Sequence, residues 1–279
     1  MAYLQKLISL LSAATLIIAI LIAILYLFQN RLLYLPVRSN LDNYVPEGLA
    51  LWPADRSLTE FSADNVLGLV AEPAAGPTPL ETAIVFHGNA GHAGHREYYA
   101  QQITALDVRV ILAEYPGYGP RPGKPQESLL VDDAVNLVKL AHEQYGQPIW
   151  LIGESLGAGV AAAVAGREPS LIRGIVLITP WNRLVNVASH HYPFLPVRLL
   201  LTNEYDSIKS LSFYNGPKLV VVADNDTIVP AELGLDLYQN LEEPKRLNMI
   251  ENAGHNNWLL HSPPSIWTDA ISWLRQAQS

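Results

Sequence analysis

Three residue types that together carry out acyl transfer stand far apart in the chain: Ser155, Asp226 and His255. A serine hydroxyl is a weak nucleophile until a base takes its proton. Histidine suits that task near neutral pH, and a carboxylate can hold its ring in the tautomer and orientation required. Ser155 lies in Gly153-Glu154-Ser155-Leu156-Gly157, after the apolar run Ile149-Trp150-Leu151-Ile152 and before an Ala-rich stretch. This reads as a strand, a sharp turn and a helix, the context that a G-x-S-x-G turn needs. Side chains at Gly153 or Gly157 would crowd the neighbouring strand and helix. The serine is then lifted off the sheet, close to the positive end of the helix dipole. The plainer alternative is a serine that merely caps that helix.

Two acids compete for the partner role in Ala223-Asp224-Asn225-Asp226-Thr227-Ile228-Val229-Pro230. Asp224 ends an apolar run and could cap the turn. Asp226 is favoured, because a residue further into the loop can reach across the strand ends. His255 follows Leu247-Asn248-Met249-Ile250 in the turn Glu251 to Asn257 and is the expected general base. Alone it would read as a solvated loop histidine. The tetrahedral intermediate of acyl transfer also needs N–H donors for its oxyanion, each worth roughly 3 to 4 kcal/mol of barrier. The backbone N–H groups of Asn89, in His87-Gly88-Asn89-Ala90-Gly91, and of Leu156, next to the serine, are assigned that role. His87 is expected to hold the loop, and Tyr115-Pro116-Gly117-Tyr118-Gly119 to support it.

These residues need a scaffold that ends several strands side by side. Ala83–Phe86, Val108–Leu112, Ile149–Ile152, Ile175–Ile178 and Leu219–Val222 are short apolar runs bounded by turns, as in parallel strands covered on both faces. Between them, Leu130, Ala134, Val135, Val138 and Ala141 keep helical spacing, as do Ile266, Ala270, Ile271 and Leu274. The alternation predicts an α/β fold, a mostly parallel sheet with helices on both faces. Ligands of such sheets bind beyond the strand C-terminal ends, where all the candidate residues fall. Residues 57–61 and 66–70 are expected to form an edge hairpin.

The N-terminus is of another kind. Leu7 to Phe28 is 22 residues without a charge. As a helix it spans ~33 Å, against a bilayer core of ~30 Å. The flank Leu25-Tyr26-Leu27-Phe28-Gln29-Asn30-Arg31 has no small-residue cleavage site, which favours an uncleaved single-pass anchor over a signal peptide. Lys6 before the run and Arg31 and Arg38 after it are too balanced to orient the anchor. The predicted organisation is an anchor at 1–30, an irregular leader packed on the domain at 31–56, and a hydrolase domain at 57–279 with a short insert at 180–217. That insert carries Trp181, Tyr192, Phe194, Leu195 and Leu199 to Leu201, which either line an acyl channel or bury against the sheet. Net charge is −8 with no basic tract, which argues against nucleic acid. Neither G-x-G-x-x-G nor a P-loop occurs, so no nucleotide is expected. With no cysteine and no H-E-x-x-H, no metal or other cofactor is expected.

With its nucleophile, acid and histidine in that order, the chain resembles the α/β-hydrolase superfamily. It is particularly similar to membrane-anchored serine hydrolases with an H-G-N-A-G loop, the lysophospholipase-, monoacylglycerol lipase- and depalmitoylase-like proteins. H-G-N-A-G at 87–91, Y-P-G-Y-G at 115–119, G-E-S-L-G at 153–157, D-x-x-V-P at 226–230, G-H-N at 254–256 and N-R-L-L-Y-L-P at 30–36 carry the resemblance. Ala223 stands where those relatives usually have glycine, and Asn257 where many have aspartate. The resemblance implies Ser155 as nucleophile, Asp226 as orienting acid and His255 as base. It also implies hydrolysis of carboxylic esters or thioesters of lipids or lipidated molecules, on a bilayer that residues 7–28 enter. A serine peptidase on the same scaffold, or a binding protein that has kept the site, are the alternatives.

Overall fold

A computed structural model of the chain describes residues 1–53, 62–74, 81–146 and 149–277. It begins with α1 (Ala2–Leu33), a helix of 32 residues, extending beyond the uncharged run at both ends. Residues 3–33 are long and apolar enough to cross a membrane, and none of their most apolar window is buried in the domain. The chain then passes through β1 (Leu35–Pro36) and β2 (Ala50–Pro53) to β3 (Val66–Ala71). From there strands and helices alternate: β4 (Glu81–Phe86), β5 (Ala90–Gly91), α2 (Glu97–Ile103), β6 (Val108–Ala113), α3 (Glu127–Tyr145), β7 (Ile149–Glu154), α4 (Leu156–Arg167) and β8 (Ile172–Ile178). Three short helices, α5 (Leu184–His191), α6 (Val197–Leu200) and α7 (Ser207–Leu211), occupy the insert. β9 (Lys218–Ala223), α8 (Ala231–Gln239), β10 (Lys245–Ile250), α9 (Trp258–His261) and α10 (Ile266–Gln276) complete it.

Eight strands form one sheet in the order β10-β9-β8-β7-β4-β6-β3-β2. β4 and β6 to β10 run parallel, while β3 is antiparallel to β6 and β2 to β3. Strand pleating sends successive side chains to opposite faces. Ile84 and Phe86 therefore join one core layer with α3, α4 and α8, while Ala83 and Val85 join a second layer with α2 and α10. The apolar runs carry no polar alternation because both faces are covered.

The edge differs from the sequence expectation. Residues 57–61 lie outside the described residues. The antiparallel partner of β3 is β2, inside the stretch expected to be an irregular leader. Trp52 explains why: it is buried, and its indole N–H faces Gln144 Oε1 and Tyr145 OH on α3, each at 3.2 Å. The insert divides. Trp181 and Leu184 bury in the core, whereas Phe194 and Leu199 are 97% and 83% exposed.

Candidate active site

The order β7-β4-β6 makes β4 the point where the winding reverses, and crevices open at such points. Phe86 of β4 pairs with Gly153 of β7. Asn89 and Leu156 each come three residues beyond that pair, so both loops leave the sheet side by side. On the other side of β8, Ile250 of β10 pairs with Ala223 of β9, which brings the Asp226 and His255 loops out together.

The turn at Ser155 is tight. Ser155 has φ +54° and ψ −112°, a left-handed conformation that a non-glycine residue adopts at a cost of about 1–3 kcal/mol. The Ser155 N–H donates to Ile178 O at 2.9 Å, which pins the turn to β8. A Cβ on Gly157 would lie 1.9 Å from Phe86 O, and one on Gly153 2.3 Å from Gly157 O. Strand and helix come this close only because both residues are glycine. Ser155 stands at the N-cap of α4, yet its side chain makes no capping bond. Its hydroxyl instead lies 2.9 Å from His255 Nε2.

His255 Nδ1 lies 2.6 Å from Asp226 Oδ2. The other carboxylate oxygen, Oδ1, accepts from the N–H groups of Ile228 and Val229, both at 2.8 Å. The acid is therefore fixed by its own loop before it meets the ring. Asp226 and Ser155 are buried, and His255 is half-buried. The competing acid has a different place. Asp224 Oδ1 accepts from Ala253 N–H at 3.1 Å, so it braces the backbone of the histidine loop rather than the ring. Asn257 Oδ1 accepts from Gly254 N–H at 2.6 Å and closes the same turn.

The loop after β4 is held from several sides. His87 is buried, with Nδ1 2.7 Å from Gly88 O and Nε2 3.1 Å from Glu114 Oε1. Glu114 also accepts from the N–H groups of Ala93 and Tyr115. The Tyr115 hydroxyl donates to His87 O at 2.9 Å and the Tyr118 hydroxyl to Asn89 O at 2.8 Å. β1 pairs in parallel with β5, and Leu35 N–H also donates to Asn89 O, at 2.9 Å. The Asn89 carboxamide donates to Leu33 O at 2.9 Å. The Leu156 N–H is among the four that α4 leaves without an intrahelical acceptor.

Sequence reasoning missed a charged support behind Ser155. Glu154 receives two bonds from the Arg96 guanidinium, at 3.0 and 3.2 Å, and the hydroxyls of Tyr98 and Tyr99 at 2.8 and 2.9 Å. Burial pushes its carboxyl up, but Arg96 and the two hydroxyls outweigh that and hold it below its ordinary 4.5. Burial, then the nearby Glu154 charge, drive the Tyr99 hydroxyl well above its usual value, so it stays a donor. The signal was slight: a charged residue at the variable position of G-x-S-x-G. Among the described residues, no group of three or more His, Cys, Asp or Glu could hold a metal ion.

A family profile described as "Serine aminopeptidase, S33" matches residues 77–203. An uncharacterized protein of Mycobacterium tuberculosis is 35% identical over 233 residues, 82% of this chain and 81% of that one. The lysophosphatidylserine lipase ABHD12 of Danio rerio is 28% identical over 222 residues, 69% of this chain and 57% of its own length. In fold, the chain is similar to Est1E of Butyrivibrio proteoclasticus, crystallised with ferulic acid (TM-score 0.60, 16% identity, 75% of this chain and 93% of that one). It is similar also to a monoacylglycerol lipase of Paleococcus ferrophilus (TM-score 0.57, 19% identity, 75% and 98%). With its sheet order, its strand exits and a relative matched over four-fifths of both lengths, the chain belongs to the α/β-hydrolase superfamily.

Proposed function

We propose that the protein is a membrane-anchored serine hydrolase that cleaves carboxylic esters or thioesters of lipids or lipidated molecules through an acyl-enzyme on Ser155. The observation that carries this reading is the unbroken line from Asp226 through His255 to Ser155, with contacts of 2.6 and 2.9 Å. Asp226 accepts from Nδ1–H, which leaves Nε2 as the acceptor for the serine proton. The alkoxide attacks the acyl carbon, and the N–H groups of Asn89 and Leu156 hold the oxyanion. His255 then protonates the leaving alcohol or thiol and later takes a proton from water to release the acid.

The lipid assignment draws support from α1, whose length and composition suit a bilayer, and from a relative named as a lysophosphatidylserine lipase. Tethering raises the effective concentration of membrane-borne esters at the site. A peptidase reading has one observation in its favour, the aminopeptidase description of the matching family profile. The test is labelling of the detergent-solubilised full chain by a fluorophosphonate probe, followed by turnover of lipid ester, thioester and peptide panels. Labelling of wild type but not of Ser155→Ala, with ester turnover above peptide turnover, is the expected result. A folded wild type that takes no label ends the reading.

A further inference from the structure

The end of α1 does not stand clear of the domain. Gln29 clasps the insert with both ends of its amide: Nε2 donates to Leu200 O at 3.0 Å and Oε1 accepts from Thr202 N–H at 2.9 Å. One residue on, Asn30 Oδ1 accepts from Asn203 Nδ2 at 2.7 Å. Beside these clasps the helix and the insert enclose a groove of about 200 Å³, with Leu25 and Leu32 on the α1 side and Val187, Leu195 and Leu200 on the insert side.

Two wall residues of the groove contact the loops that carry the proposed triad and oxyanion groups. Leu33 in its wall accepts from the Asn89 carboxamide. His191 in its wall has Nε2 2.7 Å from Ile228 O, and the Ile228 N–H donates to Asp226. The groove is therefore one hydrogen bond away from each of the loops that carry Asn89 and Asp226. On the α1 side, Leu25 and Tyr26 belong to the stretch that is apolar enough to cross a membrane. Phe194 and Leu199, almost fully exposed, are chain neighbours of the wall residues Leu195 and Leu200.

We propose that this groove is the acyl-chain site, with one wall supplied by the membrane helix itself. The proposal rests on the serine hydrolase reading above and names its substrate as the ester or thioester of a fatty acyl chain. A chain that enters along α1 passes from bilayer to groove without crossing water. This is the argument for a lipid tail over a water-soluble ligand.

The experiment compares kcat/KM of the solubilised full chain on p-nitrophenyl esters from acetyl to palmitoyl, for wild type, Val187→Trp and Val187→Ala. The expected result is a wild-type preference for the longer chains. Val187→Trp lowers the long-to-short ratio by roughly tenfold or more, as a pocket loses methylene contacts, and Val187→Ala moves the longest accepted chain upward. The alanine variant decides the matter if the tryptophan variant fails to fold. A ratio unchanged in both variants, or a wild type that labels with fluorophosphonate yet turns over acetyl esters alone, overturns the groove and leaves the hydrolase standing. If wild type neither labels nor turns over any ester, the hydrolase reading falls. The groove is then judged by a palmitic acid probe with a terminal diazirine. Crosslinks in residues 184–201 that Val187→Trp removes keep it, and their absence rejects it.

Discussion

The Asn89 carboxamide donates to the carbonyl of Leu33, the last residue of the membrane-compatible helix, across 2.9 Å. The same asparagine carries one of the two N–H groups assigned to the oxyanion, and its carbonyl is held by Leu35 N–H and the Tyr118 hydroxyl. The chain leaving α1 is thus part of the loop's mounting. Asn89→Ala keeps the backbone N–H and removes only the tether. It is expected to lower kcat about tenfold, or ~1.4 kcal/mol of barrier, while KM moves little, because the oxyanion exists only in the transition state. Steady-state kinetics on one acyl ester decide it. A wild-type kcat in Asn89→Ala would show that the backbone contacts alone suffice.

Asp226 and His255 should fail together rather than by increments. Asp226→Asn leaves Oδ1 able to accept from Ile228 and Val229 but presents an amide to the ring, which favours the wrong tautomer. A fall of ~10⁴ in kcat is expected, against about 10⁶ for His255→Ala. The double variant should then be little worse than His255→Ala alone, since the groups act as one unit. Losses that multiply would mean that Asp226 acts on something other than His255. Asp224→Asn, which spares the ring contact, should cost far less.

What could be read from the sequence was whatever rests on local pattern. Ser155, Asp226 and His255 stood out as candidates because each sits where an apolar run ends in turn residues, and the fold brings their side chains together. The buried faces of β4 and β7 were equally plain, since strands covered twice show unbroken apolar runs. What escaped depends on partners distant in sequence. β2 is four residues long, and its burial turns on Trp52 meeting Gln144 and Tyr145. The Arg96, Tyr98 and Tyr99 cage gathers at Glu154 from more than fifty positions away. No periodicity encodes a contact between Gln29 and Leu200.

The elbow glycines give a sharp contrast in stability. Gly157→Ala would force a Cβ against backbone at 1.9 Å, where no rotamer can yield. A loss of at least about 3 kcal/mol or outright failure to fold is expected. Gly88→Ala meets its nearest atoms at 3.5 to 3.7 Å, ordinary contact, so it should fold with a near wild-type melting temperature. Thermal unfolding of the two variants side by side is the check. A stable Gly157→Ala would mean that β4 and α4 can part, and with them the placing of Ser155.

Glu154 makes stability depend on acid. Its folded carboxyl is held below its ordinary value of 4.5, so the group favours the folded state fully above that value and loses its contribution as pH falls through the lower, folded one. The unfolded chain binds the proton first, and stability declines on the acid side. Glu154→Gln should therefore flatten part of the acid limb of a melting-temperature profile. At neutral pH it should also cost about 3 kcal/mol, because Arg96 then stays partly buried without its counter-charge. Arg96→Met should also flatten the acid limb: without the guanidinium, burial carries the folded carboxyl up towards or past its ordinary value, so less stability is lost as pH falls. An acid limb that is the same in all three proteins would show that the Glu154 cage holds its shape by packing and hydrogen bonds alone, with no share in the pH response.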